Sequence, residues 1–170
     1  MDIIEIEEMN IRGAYVIDGF PSVGLVGSIV ANYLVTTLKL RQIAVVDSDH
    51  FPTISTIKGG VPHSPVRIYG GEFGDGQRMV VFVSEFQPPP HVLKLLGITL
   101  MDWVEDHKCR LVISPEGISS KQSGRPPGEQ PFEVLGVGST PEARELLTSK
   151  NVPIFEGGII VGLSASLLNE

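Results

Sequence analysis

Asp18-Gly19-Phe20-Pro21-Ser22-Val23-Gly24-Leu25-Val26-Gly27-Ser28 joins two runs of different period. Before it, Ala14-Tyr15-Val16-Ile17 is a short apolar run of strand type. After it, Val26, Ile29, Val30, Tyr33, Leu34 and Leu38 recur at helical spacing, and Ile43-Ala44-Val45-Val46 is a second strand-like run. The stretch therefore reads as a strand-to-helix turn inside a βαβ unit, which implies a parallel sheet with a helix packed on it.

A glycine-rich turn at a helix start can cradle phosphate on free N–H groups. Three such chemistries fail at named residues. Gly19 and Gly24 have P-loop spacing, but Leu25 and Val26 stand where Lys and Ser or Thr are needed. The dinucleotide pattern lacks its first glycine, and Phe20 occupies the first glycine position of a nucleophile elbow. Gly24, Gly27, Ser28 and Ala31 instead form a strip of small residues that lets a helix backbone lie close to a strand or partner. Phe20, Pro21, Gly24 and Gly27 are accordingly candidates for contact with a partner or ligand. Ser22 is expected to cap the helix over 23–38, with a nucleophilic role as the alternative.

The chain has 170 residues, 42% hydrophobic and 19% charged, which suits one globular domain. Its net charge of −7, with no basic cluster, argues against a nucleic-acid partner. The single Cys109 excludes an internal disulfide and suits a reducing compartment. The acidic N-terminus does not read as a signal peptide, and no apolar run reaches membrane-spanning length. A cytoplasmic location without membrane partners is expected.

Further along, residues 2–8 alternate isoleucine and acid, as an opening strand. Residues 47–65 carry three prolines and two glycines, which leaves room only for a short edge strand at 53–57. Runs 66–69 and 79–83 predict a hairpin, with Gly70, Gly71, Gly74, Asp75 and Gly76 in its turn. The second run lacks alternation, as a strand buried on both faces does. A helix over 91–107 and a strand over 110–114 follow. Residues 115–131 read as a polar flap and 132–137 as strand-like. Ser139 and Glu142 fit a capping box, with Pro141 tolerated in the first turn of a helix ending near Ser149. A last helix starts near Ser164. Its fresh apolar face at the end of the chain suggests that the single domain spanning 1–170 is a shortened form.

Ligands of open parallel sheets bind beyond the carboxyl ends of strands. Asp18, Glu85 and Glu116 stand at such ends and are the acid–base candidates, beside Ser22. Asp47, Asp49 and His50 have metal-ligand side chains, although alternate residues of a strand end point apart. Asp and Ser in such loops also serve as turn and cap residues. His63, between prolines, and Phe86 are candidate partner contacts. Lys121 and Arg125 could reach an anion.

The opening signature Gly19-Phe20-Pro21-Ser22-Val23-Gly24-Leu25-Val26-Gly27 with Ala31-Asn32-Tyr33-Leu34 resembles that of the proteasome assembly chaperone family. The prokaryotic branch of the second assembly chaperone is meant. Arg67-Ile68-Tyr69, Ser84-Glu85-Phe86-Gln87-Pro88-Pro89, Ser114-Pro115-Glu116-Gly117 and Gly158-Ile159-Ile160 through Leu167-Leu168 resemble the family too. The resemblance implies an α/β class, three-layer α/β/α fold with a mixed, largely parallel sheet, similar to phosphorylase and hydrolase folds. It further implies a homo-oligomeric chaperone without cofactor that binds proteasome α-subunits. The hydrophobic-Tyr tail of some members is not found in Leu168-Asn169-Glu170. The alternative is a small-molecule hydrolase or phosphorylase using the strand-end carboxylates.

Overall fold

The alternation of periods resolves into strands and helices in a computed structural model that describes residues 1–118 and 134–170. The strands are β1 (Asp2–Glu5), β2 (Tyr15–Gly19), β3 (Arg41–Asp47), β4 (Thr56–Lys58), β5 (Val61–His63), β6 (Val66–Phe73), β7 (Gln77–Ser84) and β8 (Leu111–Ile113). The helices are α1 (Val26–Thr37), α2 (Leu93–Asp106), α3 (Pro141–Ser149) and α4 (Leu163–Asn169). Short 3₁₀ turns at Val23–Leu25 and Pro90–Val92 lead into α1 and α2.

The main sheet has the order β1-β3-β6-β7-β2-β8. β2 is parallel to both β7 and β8, whereas β1, β3, β6 and β7 pair antiparallel in succession. The sheet is thus mixed. Four of its six strands share one direction, yet β2 and β3 do not touch, because the hairpin β6–β7 lies between them.

Alternation divides the core into two layers. Val16, Ala44, Val46, Ile68, Val80 and Phe82 meet Leu96, Leu100 and Trp103 of α2 and Leu163 and Leu167 of α4. Ile17, Met79, Val81 and Val83 meet Ala31, Val30 and Leu34 of α1 on the other face. β7 is buried on both faces, as its unbroken apolar run requires.

Several expectations change. Gly70 and Gly71 lie within β6 rather than in the turn. A Cβ on Gly70 would stand 2.9 Å from Ile43 Cδ1, and one on Gly71 2.8 Å from Leu40 Cδ2. Thr56–Lys58 pairs with Val61–His63 as a separate hairpin. The cap of α3 is Thr140, whose Oγ1 accepts from Ala143 N–H at 3.1 Å, one residue later than the capping box placed it. Within 134–137, the described part of the strand-like run at 132–137, Gly136 makes a single parallel bridge to Ile154. Most of the 115–131 flap, with Lys121 and Arg125, lies outside the described residues.

The small-residue strip divides by function. Gly19 touches α1 so closely that a Cβ there would stand 2.2 Å from Ala31 Cβ and 2.4 Å from the Phe82 carbonyl oxygen. Gly27 faces the carbonyls of Phe20, Asp18 and Pro115 at 3.0–3.2 Å from where its Cβ would be. Gly24 is not a packing position. Its φ is +70°, and the nearest atom to an added Cβ is Val26 Cγ2 at 3.7 Å.

Gly19→Ala is therefore expected to cost about 1–3 kcal/mol in urea unfolding through overpacking. Gly24→Leu should cost about 1–2 kcal/mol through its left-handed backbone, and Gly24→Asn should recover most of that loss. Equal rescue by Asn at position 19 would contradict the packing account.

Candidate functional site

The carboxyl ends of β2 and β8 are neighbours, so Asp18 and the residues after Ile113 converge. Ser114 Oγ lies 2.5 Å from Asp18 Oδ2 and 2.8 Å from Ser164 Oγ, at the start of α4. Ser164 Oγ is in turn bonded to Glu116 Oε1. The other oxygen of Asp18, Oδ1, accepts from the Phe20 N–H at 3.0 Å. Asp18 is 4% exposed, and Ser164 is also buried.

Proton counting constrains this chain of side chains. Its three oxygen–oxygen contacts need three protons, and two serine hydroxyls supply two. An ionised carboxylate supplies none. The third proton belongs to a carboxylic acid, and the cluster holds two such groups, Asp18 and Glu116. Burial raises the Asp18 carboxyl above the ordinary 3.8, the Glu116 charge pushes the same way, and hydrogen bonds from Ser114, Phe20 and Ser164 only oppose this. The cluster ties β2, the β8 loop and α4 together through side-chain hydrogen bonds.

Glu85 does not join it. Its Oε1 pairs with Nη2 of Arg67, a guanidinium fully buried in β6, and lies 3.8 Å from Lys58 Nζ. Nε and Nη1 of Arg67 have no hydrogen-bond partner among the described residues, and its Cζ is 6.0 Å from the Tyr69 ring centroid. Glu85 is thus the counter-charge of a buried cation and not an acid or base at a strand-end crevice.

Other candidates are dispersed. Ser22 makes no capping bond and its buried hydroxyl has no partner among the described residues, and Leu25, at φ 55°, is the N-cap of α1. Phe20 is core and unavailable to a partner, Gly27 is buried against backbone, and Pro21 is half-buried. Phe86 packs on Phe51 with ring centroids 5.3 Å apart, and His63 sits in β5. Asp47 Oδ1 accepts from Ser48 N–H at 2.9 Å, and Ser48 Oγ accepts from His50 N–H at 3.2 Å, which are turn roles. Among the described residues Asp47, Asp49 and His50 form no group able to hold a metal.

Ser114, Ser164 and Arg67 were the residues that sequence reasoning did not assign. A lone charge inside an apolar strand was the available signal for Arg67, since such a residue needs a counter-ion when buried.

One surface is unusual. No residue from Val23 to Leu38 is charged, yet Val23, Leu25, Ile29 and Tyr33 are exposed, the last two by 64% and 66%. Leu25, Ile29 and Tyr33 follow one another at four-residue spacing, so they share one outward face.

A family model described as PAC2 family matches residues 16–170. A structure of Pyrococcus furiosus PbaA, described as an archaeal homolog of proteasome-assembly chaperone, is similar at 30% identity and a TM-score of 0.81. The similarity covers 98% of this chain and 65% of that one. An uncharacterised protein of Methanocaldococcus jannaschii is 26% identical over 168 residues, which are 99% of this chain and 65% of that protein. Pyrococcus furiosus PbaB, described as an archaeal proteasome activator, shares the fold at 24% identity and a TM-score of 0.77, over 98% of this chain and 72% of that one.

Because the folded-state acid strength of Asp18 is weakened, the neutral form stabilises the fold fully below about pH 3.8, and that contribution is lost as pH rises through the folded value. Asp18→Asn, which keeps a neutral donor there, should gain stability relative to the wild type as pH rises from about 4. Urea unfolding across pH measures the difference, and a pH-independent gap would refute the raised proton affinity of Asp18. Glu85→Gln should cost about 3–5 kcal/mol in the same assay, since it strands a buried guanidinium.

Proposed function

The chain belongs to the PAC2 family, and from that premise we propose that it is a homo-oligomeric assembly chaperone or scaffold acting on proteasome α-subunits. The observation that carries the reading is the uncharged, outward apolar face of Val23–Tyr33 on an otherwise acidic protein. A helix face that no charge solvates is suited to being covered by protein. The likeness to PbaA supports a proteasome-related partner. The chain spans 65% of that structure and of the M. jannaschii relative.

A surface-contact mechanism suits the buried polar groups as well. Asp18, Ser114, Ser164 and Glu116 bond to one another, and Glu85 neutralises Arg67, so these polar groups serve packing. The hydrolase or phosphorylase alternative would need substrate to reach Asp18, which is 4% exposed.

In this reading the self-association surface is the α1 face. Size-exclusion chromatography with light scattering should give an oligomer for the wild type and smaller species for Ile29→Glu and Tyr33→Glu, with folded-state circular dichroism unchanged. Purified α-subunits mixed with wild-type protein should form rings faster than α-subunits alone. A monomeric wild type would overturn the oligomer, and unchanged ring formation would overturn the chaperone role.

A further inference from the structure

At the other end of the parallel strands from Asp18, β2, β7 and β8 start side by side, with Tyr15 in register with Met79 and with Leu111. An arginine precedes each of those two partners, Arg78 and Arg110, and Arg12 stands in the turn into β2. Arg12, Arg78 and Arg110, with Tyr15 and Gln77, line a cavity of about 150 Å³.

Arg78 and Arg110 each make a contact that orients the guanidinium, while the side chains of Arg12 and Arg110 are exposed. Arg78 Nη1 donates to the Arg12 carbonyl oxygen at 2.9 Å. Arg78 Nε is shielded from solvent and has no hydrogen-bond partner among the described residues, with Glu72 Oε1 at 3.6 Å. The Arg110 guanidinium carbon lies 5.5 Å from the Tyr15 ring centroid. Among the described residues no carboxylate pairs with Arg12 or Arg110.

Three positive charges against the single carboxylate of Glu72 leave the cavity cationic on a chain whose net charge is −7. Like charges gathered around one space repel unless an anion joins them. Guanidinium groups arriving from three strand ends match an acceptor that offers oxygens in several directions and more than one negative charge. A carboxylate offers two oxygens in one plane and a single charge. A long polyanion would meet the acidic remainder of the surface.

We propose that this cavity binds a phosphate group, either the free ion or the phosphoryl end of a small monoester. The site stands apart from α1 and does not depend on the assembly role.

The test is isothermal titration of the intact protein with inorganic phosphate, with phosphoserine and with acetate, at constant ionic strength held by sodium chloride. Phosphate should bind saturably at one site per chain, and acetate should not. Arg12→Gln and Arg110→Gln, both at the surface, should each weaken phosphate by about tenfold. Lys94→Gln, an exposed change on α2, should leave binding unaltered. Tighter binding of phosphoserine than of phosphate would place a monoester in the site, and equal binding would place the free ion there. No saturable binding at millimolar phosphate, equal binding of acetate, or undiminished binding in both arginine variants with native circular dichroism would overturn the proposal.

Discussion

The contact between Gly19 and Ala31 is the constraint on which the rest of this structure depends. A strand can deliver its chain into a helix that folds back onto it only if the backbones approach closely at the turn. Here the strand offers a residue without a side chain, and the helix offers Ala31 and Gly27. The Asp18 backbone carbonyl lies against Gly27 of α1, while its carboxyl, on the opposite face of β2, meets Ser114 of the β8 loop, which bonds Ser164 of α4. Gly27 faces the Pro115 carbonyl, so the loop carrying Ser114 and Glu116 is drawn against the same turn. Burial of the carboxyl on that second face raises the proton affinity of Asp18.

The sheet topology separates charge along the strands. Parallel strands bring like ends together, so the carboxyl ends of β2 and β8 collect acids and hydroxyls while the amino ends of β2, β7 and β8 collect arginines. The antiparallel half, β1, β3 and β6, has no such polarity. Its one buried charge, Arg67, is matched across the β6–β7 pair by Glu85, which follows the last residue of β7. A buried ion pair of this kind adds little net stability over an apolar pair of the same volume, but it penalises any strand register that separates its members.

What was legible in the sequence was local. The strand-turn-helix at 14–38, the hairpin at 66–83 and the helix over 91–107 each carry their period within a single window, and each is found. Neighbour order was not legible, because a βαβ reading of 14–46 says that β2 and β3 share a direction, not that they touch. The insertion of β6–β7 between them depends on contacts far apart in the chain. The same limit governs the candidate site. Asp18 and Glu116 were visible as strand-end acids, but Ser114 meets Asp18 across 96 residues and Ser164 meets Ser114 across 50. Ser22 was misread for a local reason: a left-handed Leu25 moves the helix start by three residues, so a serine with the composition of a cap has no helix to cap.

The energetics of the α1 face bear on how an association there would behave. Val23, Leu25, Ile29 and Tyr33 are each about half exposed or more. Covering one such side chain is worth about 1–2 kcal/mol, so two copies meeting face to face would gain about 8–16 kcal/mol in gross terms. Lost translational and rotational freedom alone costs about 4–15 kcal/mol. The two ranges overlap, so this helix by itself supports a reversible contact and not a permanent one. A face burying much more apolar surface would not release what covers it. The same balance explains why the face can stay uncharged. A single buried, unpaired charge costs several kcal/mol, which is enough to cancel the margin on which such a contact rests.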